Sequence, residues 1–319
     1  TPEIVEEAKA SGCDIIIAHH PIIFGGLKRL NGNNYVERTV IAAIKYGIAI
    51  YAIHTNLDNV LHGGVNAKIA AKLGLQQTRI LDPKTGRLYR LSVYVPKEHF
   101  DTVQAAIFSA GGGKIGNYDE CGFRLQGVGS FRPIEGSNPH TGQIGERFSD
   151  EEIRFEVVVT DANKDRVLSA MLTAHPYEEV AYELVKIENA HQEVGAGLIG
   201  VLPEALGVDD FLQFLKNKME LSFVKFTKTE GKPIKTVAVC GGAGSFLIKK
   251  AKREADAYIT SDMKYHEFFD AEGTLLLCDI GHFESEKYTI EIFKELLSKK
   301  IPNFATIFAQ TNTNPVQYR

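Results

Sequence analysis

A short apolar run that stops abruptly at two histidines and a proline constrains the fold most strongly. The run, Ile15–Ala18, has the composition of a strand that is buried on both faces. Pro21 lacks a backbone N–H and restricts the residue before it, so we expect the strand to end at His19 and His20. Neighbouring strand side chains point to opposite faces. Both imidazoles therefore reach one site only if the backbone turns here.

Helix-like and strand-like segments alternate before and after this run. The N-cap pattern Thr1-Pro2-Glu3 predicts a helix that ends near residue 11. The spacing of apolar residues and glycine stops predicts the following further elements: helices at 35–46, 65–73, 245–253, 264–271 and 283–300, and strands at 48–53, 236–240, 257–260, 275–280 and 305–308. This order predicts an α/β fold with a parallel-sheet core.

A stretch of about 100 residues interrupts this pattern. Its predicted strands lie at 88–95, 123–131, 153–160 and 180–187, its helices at 97–110 and 164–174, and a long polar loop at 135–150. The order β-α-β-β-α-β predicts an inserted ferredoxin-like α+β domain with an antiparallel sheet. We therefore expect a core that is split in sequence: residues 1–87 as its first part, 88–189 as the insert, and 190–319 as its second part.

Composition excludes several classes of protein. A length of 319 residues suggests about two domains. The net charge of −4 provides no basic surface for nucleic acid, and no apolar run reaches the ~20 residues that a membrane span needs. The four cysteines form no C-x-x-C pair, which favours a reducing cytoplasm. No signal peptide is visible. Because the chain begins at Thr1, we expect a preceding segment to be absent.

Residues that commonly bind metals follow several of the predicted strands. In an open parallel sheet, ligands bind beyond the carboxyl ends of the strands. His282 and Glu286 are four residues apart at the start of a helix and share a face. Each residue alone also fits an ordinary role, such as a helix cap, a turn aspartate or a solvated carboxylate. Together they predict a metal site whose ligands are His19, His20, Asp58, His282 and Glu286.

This ligand set contains nitrogen and oxygen donors but no thiolate. Such a set suits two divalent metal ions drawn from Zn, Fe, Mn, Co or Mg, and zinc is the ion most expected. Five ligands exceed the need of one tetrahedral ion, so we predict two ions bridged by a carboxylate.

His54 is four residues before Asp58 on the same loop. Three roles stay open for His54: it could hold a metal ligand in place, transfer a proton to the substrate, or be a buried structural histidine. Three further residues are predicted to line the cleft or the core: Asp262, as a helix N-cap or substrate contact; His266, in the cleft; and Cys240, in the core.

Two glycine-rich stretches resemble nucleotide-binding motifs. Residues 195–200 match G-x-G-x-x-G, but Val201-Leu202-Pro203 follows instead of a helix start, so a dinucleotide fold is rejected. Residues 241–244 lie between a predicted strand and a helix, where backbone N–H groups can bind an anion. They lack the G-K-[ST] of a P-loop. A phosphate or carboxylate contact and a plain turn therefore stay equally open.

The pattern I-A-H-H-P…H-T-N-L-D…G-H-F-E-S-E resembles the family of NGG-interacting-factor-three-like proteins, also called GTP cyclohydrolase I type 2 homologues. The resemblance covers nearly the whole chain. It implies a dinuclear metal centre on the same five ligands and a toroidal homohexamer. The segment His175-Pro176-Tyr177-Glu178-Glu179 resembles a turn of the CutA- or PII-like domain that longer members carry as an insert. From the resemblance we expect that the first strand and helix of such proteins are missing before Thr1.

Two hypotheses of function follow. The first is a metal-dependent hydrolase that acts on a nucleotide-like or phosphorylated small molecule, because two ions can activate water and polarise a scissile bond. The resemblance points to GTP ring opening, although no guanine-binding element is evident. The second is a metal-binding regulator or scaffold whose PII-like insert senses a ligand. Open coordination positions for water would favour the first hypothesis.

Overall fold

The protein is described here by a computed structural model of residues 1–319. The chain divides into two compact units. Unit 1 comprises Thr1–Asp82 and Glu193–Arg319, and unit 2 comprises Pro83–Gln192. The predicted insert, residues 88–189, falls within unit 2. No helix is long and apolar enough to cross a bilayer.

The chain begins with four helices and three strands. In order these are α1 (Pro2–Ala10), β1 (Ile15–Ala18), α2 (Tyr35–Tyr46), β2 (Ala49–Ala52), α3 (Thr55–Asp58), α4 (Val65–Lys72) and β3 (Gln76–Lys84). Helix α2 shows why these elements form. Asn34 accepts a hydrogen bond from the Glu37 N–H at its start, and Gly47 adopts a left-handed φ of 68° at its end. The predicted bounds of α2 are those observed.

Unit 2 contains four strands, two α-helices and one 3-10 helix. In chain order these are β4 (Leu88–Pro96), a 3-10 helix (Lys97–His99), α5 (Phe100–Ser109), β5 (Gly122–Phe131), β6 (Phe148–Thr160), α6 (Lys164–Ala174) and β7 (Tyr182–Ile187). The sheet order is β5-β6-β4-β7, and its described pairs are antiparallel. Alternate residues of β4 and β6, such as Leu91, Val93 and Phe155, pack with Val103 and Met171 of the helices.

The second part of unit 1 completes the fold. Its elements are β8 (His191–Leu206), α7 (Val208–Met219), β9 (Lys225–Phe226), β10 (Ile234–Ala243), a 3-10 helix (Ser245–Leu247), α8 (Ile248–Glu254), β11 (Ala257–Ser261), a 3-10 helix (Tyr265–Ala271), β12 (Leu276–Asp279), α9 (His282–Glu286) and α10 (Thr289–Lys300). The strands β10, β11 and β12 are parallel; all residues of β11 and β12 are buried, as are most of those of β10. Their apolar runs are typical of strands covered on both faces.

The prediction of one parallel core sheet is wrong in part. Strands β1 and β2 form a separate two-stranded parallel sheet, and the larger sheet has the order β3-β8-β10-β11-β12-β9. In that sheet β8 and β9 run antiparallel to their partners. Strand β8 is not among the predicted elements, and its glycines alone favour a loop. They instead permit close packing: a Cβ on Gly200 would lie 2.9 Å from the Gln76 carbonyl.

Further predictions differ from the structure. The helix expected at 283–300 is divided between α9 and α10. Tyr288, between the two helices, is buried, and its hydroxyl donates to the Met219 carbonyl. Residues 305–308 form no strand, and Ile307 is 65% exposed. Asp58 ends helix α3 instead of lying in a loop.

Candidate metal centre

The ends of β1 and β2 place three histidines together. The two strands pair in register from Ile15 with Ala49 to Ala18 with Ala52. One residue further on, the His54 N–H donates to the His19 carbonyl at 2.9 Å. The rings of His19 and His20 pack edge to face at 4.7 Å, so the backbone turns enough to bring consecutive side chains to one place. The ring of His54 lies 5.6 Å from His19 and 5.2 Å from His20.

Helix α9 brings two more of the predicted ligands to the carboxyl edge of β10–β12. It begins directly after β12, and Gly281 in front of it has a φ of 89°, which glycine tolerates without strain. His282 and Glu286 are one turn apart, with Nε2 3.1 Å from Oε2. The helix is held to the sheet by Ser285, whose Oγ accepts a hydrogen bond from the Gly242 N–H at 2.9 Å.

All five predicted ligands meet around the Glu286 carboxylate. His19 Nε2 lies 3.5 Å from Glu286 Oε1 and 3.3 Å from Asp58 Oδ1. His20 Nε2 lies 3.2 Å from Glu286 Oε2 and 3.2 Å from His282 Nε2. Potential ligand atoms of His19, His20 and Glu286 all lie within 4.8 Å of one another, a spacing that one metal ion can span.

The chemistry of these atoms fits a divalent metal ion. Four buried side-chain atoms of the centre make no hydrogen bond: Nδ1 and Nε2 of His19, Asp58 Oδ1 and Glu286 Oε2. All but Nδ1 of His19 lie 3.1–3.5 Å from another ligand of the set without forming a hydrogen bond to it. Buried polar atoms without a partner are costly, and such a group in a native structure calls for an ion or water. Imidazole nitrogen and carboxylate oxygen are ligands of Zn and of other borderline or hard divalent ions. Metal coordination would satisfy these atoms together.

Burial and neighbouring charge tune the ionisation of the cluster. Although burial alone would raise it, the imidazoles of His19 and His282 lower the pKa of Glu286 to about 2. The Glu286 carboxylate raises the pKa of His282 to about 9, against the effect of burial. Burial raises the pKa of Asp58 and lowers that of His20. Glu286 is therefore ionised at neutral pH, and a metal ion must displace a proton from His282.

Two glycines form the wall beneath the Glu286 carboxylate. Gly242 has a φ of 66°, and a Cβ on it would overlap Glu286 Oε1. Gly241 donates its N–H to Asn66 Oδ1 at 2.9 Å. The N–H groups of Gly241 and Gly242 are thus bound to protein side chains, and β10 extends to Ala243. The glycines allow close approach of a carboxylate, and these two donors are not presented to an external anion.

The sequence did not assign Asp262 its observed position. Its Oδ2 lies 2.6 Å from Nδ1 of His282, so the carboxylate accepts a hydrogen bond from that nitrogen. In neutral His282 this leaves the lone pair on Nε2, which faces Glu286 and His20. The available signal was an aspartate directly after strand β11, at the same sheet edge as His282.

The structure also places His54, His266 and Cys240. His54 contacts the rings of His19 and His20 but has a φ of 42°, uncommon for a residue other than glycine. Such strain is often found at functional sites. His266 lies on the 3-10 helix Tyr265–Ala271, with its ring 5.4 Å from Tyr265. Cys240 is buried in the core, and burial raises its pKa to about 12.

Comparison with known proteins identifies the family. A protein of Bacillus subtilis named "GTP cyclohydrolase 1 type 2 homolog" is 38% identical over 99% of this chain and 86% of its own. One of the same name from Halalkalibacterium halodurans is 39% identical over 94% of this chain and 81% of its own. The crystal structure of a Bacillus cereus protein related to NIF3 superposes with a TM-score of 0.86, at 36% identity, over 100% of this chain and 87% of its own. The family model described as Duf34/NIF3 (NGG1p interacting factor 3) matches residues 1–315, and the chain belongs to that family.

Proposed function

We propose that the protein binds two divalent metal ions at this centre and uses them to hydrolyse a nucleotide-like or phosphorylated small molecule. The observation that carries the proposal is the meeting of five candidate ligands at the ends of strands, with four of their buried atoms making no hydrogen bond. The centre lies at the carboxyl ends of strands, where open α/β sheets bind their substrates. This position supports a catalytic role over a purely structural one.

The two oxygens of Glu286 face different histidines, which supports a bridging role. Oε1 faces His19, and Oε2 faces His20 and His282. We therefore assign His19 and Asp58 to one ion, and His20 and His282 to the other. Four ligands and one shared carboxylate leave coordination positions for water and substrate on both ions. Zinc is the ion that we expect to find.

The ions would supply an activated water molecule and neutralise charge that develops on the leaving oxygen. The side chains of the protein would hold the ions in place and transfer protons. Asp262 orients His282, and the ionised Glu286 holds the ligands together. His54 lies beside His19 and His20, where an imidazole can transfer a proton at neutral pH. The relatives' name, "GTP cyclohydrolase 1 type 2 homolog", makes GTP the first substrate to test.

Unit 2 is proposed to be an inserted ferredoxin-like domain. Its strand and helix order is β-α-β-β-α-β, and its sheet order places β4 and β6 in the centre and β5 and β7 at the edges. Both features support that assignment. A homohexamer in the cytoplasm, with a small molecule as the substrate, completes the proposal.

Metal analysis with matched variants tests the function. The purified protein should hold about two ions per chain, whereas Glu286→Gln should hold fewer. Metal-loaded protein should turn over at least one compound of a panel of GTP, other nucleotides and phosphoesters. His20→Ala and Asp58→Ala should abolish that turnover, and His62→Ala, which removes an exposed histidine, should not.

Two results would contradict the proposal. Full metal occupancy in Glu286→Gln would exclude the bridge. Absence of turnover, or equal turnover in all the variants, would exclude hydrolysis at this centre. A metal-binding regulator with a ligand-sensing insert would then be the better description.

A further inference from the structure

Unit 2 contains a second group of metal-binding residue types, separate from the centre in unit 1. Potential ligand atoms of Glu98, His99 and His140 lie within 4.8 Å of one another. His99 Nε2 is 3.6 Å from Glu98 Oε1, and the two imidazole rings meet edge to face at 5.2 Å. The two histidines are 41 residues apart in sequence, so folding brings them together.

The group is held by defined structure on both sides. Glu98 and His99 lie on the 3-10 helix that leads into α5, and His140 lies on the loop between β5 and β6. The Asn138 N–H on that loop donates to Glu178 Oε1 at 2.8 Å. The His140 ring also packs near the Tyr177 ring, at 6.2 Å. The loop is therefore held by a hydrogen bond two residues before His140, and the ring of Tyr177 lies beside the His140 imidazole.

The other basic side chains close to this group, His175 and Lys97, already have partners. His175 Nε2 donates to the Tyr94 carbonyl at 2.9 Å, and its Nδ1 accepts from the Tyr177 N–H at 3.1 Å. His175 is thus neutral and has no free lone pair for a metal. Lys97 is paired with Glu151 at 2.9 Å. A group of one carboxylate and two imidazoles remains.

We propose that Glu98, His99 and His140 form a second metal site, for a borderline divalent cation such as Zn²⁺. Two histidines and one carboxylate are a three-ligand set that proteins use for zinc, with water in the fourth position. Since Cu²⁺ binds imidazole sites more tightly than Zn²⁺, it should occupy the same site. Glu98 and His140 are exposed, so an ion can enter from solvent.

An ion at this site would join two segments of unit 2. It would connect the 3-10 helix Lys97–His99 to the β5–β6 loop, which carries an exposed trypsin cleavage point at Arg147. Arg132 in the same loop is followed by Pro133, so trypsin does not cleave there. A ligand that binds only the ordered arrangement shifts the loop toward that arrangement. Zinc should therefore slow cleavage of the loop, an effect that does not depend on catalysis.

The experiment uses the full chain, stripped of metal and titrated with Zn²⁺ alone. We expect His140→Ala and His99→Ala to bind about one ion per chain fewer than the unchanged protein, and zinc to stop slowing tryptic cleavage in both. The control His62→Ala should match the unchanged protein. Glu98→Gln alters an exposed side chain without changing its size, so it tests the site even if a histidine variant fails to fold.

His20→Ala separates this site from the centre in unit 1. That variant should lose metal in unit 1 while zinc still slows cleavage of the β5–β6 loop. The inference is overturned if His99→Ala, His140→Ala and Glu98→Gln each bind as much zinc as the unchanged protein. It is also overturned if loop protection disappears in His20→Ala and persists in the unit 2 variants.

Discussion

At the scale of single residues, the candidate metal centre depends on the absence of a side chain at position 242. We expect Gly242→Ala to displace the Glu286 carboxylate, because the added Cβ overlaps Oε1, and to reduce bound metal. Overpacking should also lower the free energy of unfolding by about 1–3 kcal/mol. Metal analysis and urea denaturation measure the two effects.

Gly273→Ala is the matched control for that change. Gly273 has a φ of 70°, close to that of Gly242, but no heavy atom lies within 4 Å of the position that a Cβ would occupy. Both variants therefore introduce the same backbone strain, and only Gly242→Ala adds the contact. Equal metal content in the two variants would contradict the role of Gly242 as a wall for Glu286.

Asp262 tests whether orientation of a ligand matters. Asp262→Asn places an amide beside Nδ1 of His282 and weakens the preference for a lone pair on Nε2. Loss of such a partner should reduce metal affinity by about 10- to 100-fold. The control Asp270→Asn changes an exposed carboxylate on the nearby 3-10 helix. Metal affinity is measured by competition with a chelator. An affinity in Asp262→Asn equal to that of the unchanged protein would show that Asp262 does not orient His282.

The sequence indicated the ligands but not their supports. His19, Asp58 and His282 were predicted because metal-binding residue types followed predicted strands. The roles of Asp262 and Gly242 depend on distances set by tertiary packing. Asp262 lies 20 residues before His282 and meets it only because β11 and β12 are parallel neighbours. No local pattern distinguishes that aspartate from a helix cap.

At the scale of elements, the start of helix α2 is stabilised by its N-cap. Asn34 Oδ1 accepts the Glu37 N–H at 2.9 Å. Asn34→Ala removes this acceptor and should lower the free energy of unfolding by about 1 kcal/mol. Asn34→Ser keeps an N-cap acceptor and should recover most of the loss. Chemical denaturation compares the three proteins, and equal destabilisation by Ala and Ser would show that the cap is not responsible.

Glu37 should make the same helix start sensitive to acid. Although burial opposes it, hydrogen bonds from the N–H groups of Asn33 and Asn31 lower the pKa of Glu37 below its ordinary value of 4.5. A lowered carboxyl pKa contributes stability that is present above the ordinary value and is lost as the pH falls through the lowered one. Glu37→Gln should therefore weaken the loss of stability below pH 4.5. Glu204→Gln, at an exposed strand position, should leave the loss unchanged.

Elements whose local sequence signals agree could be predicted from the sequence. Elements that depend on packing against neighbouring strands could not. Helix α2 has a cap, an apolar face and a terminal glycine, and the three agree on its bounds. Strand β8 contains Gly195, Gly197 and Gly200, which favour a loop in isolation. In the fold, Gly197 and Gly200 lie against Leu81 and Gln76 of β3. Close backbone packing therefore outweighs the poor strand propensity of glycine.

At the scale of the whole molecule, the chain leaves unit 1 after Asp82 and returns to it at Glu193. These points lie near the ends of β3 and β8, which are neighbours in one sheet. Gly200 of β8 lies against Gln76 of β3, and Gly197 of β8 lies against Leu81 of β3. Residue numbers therefore decrease along β8 in the direction in which they increase along β3. The strands are thus antiparallel, and a tight turn can join the points of exit and return.

We predict that replacing residues 83–192 with a two-residue Asn-Gly turn leaves unit 1 folded. Asn-Gly matches the twist of a two-residue hairpin, and the hydrophobic core of unit 1 consists of its own residues, including Val65, Ile69 and Val239. The shortened protein should unfold cooperatively and still bind metal, and His20→Ala should weaken that binding as it does in the full chain. Thermal denaturation and metal titration measure both properties. A folded product that no longer binds metal through His20 would show that residues 83–192 are required for the centre, and an unfolded product would show that unit 1 does not fold independently.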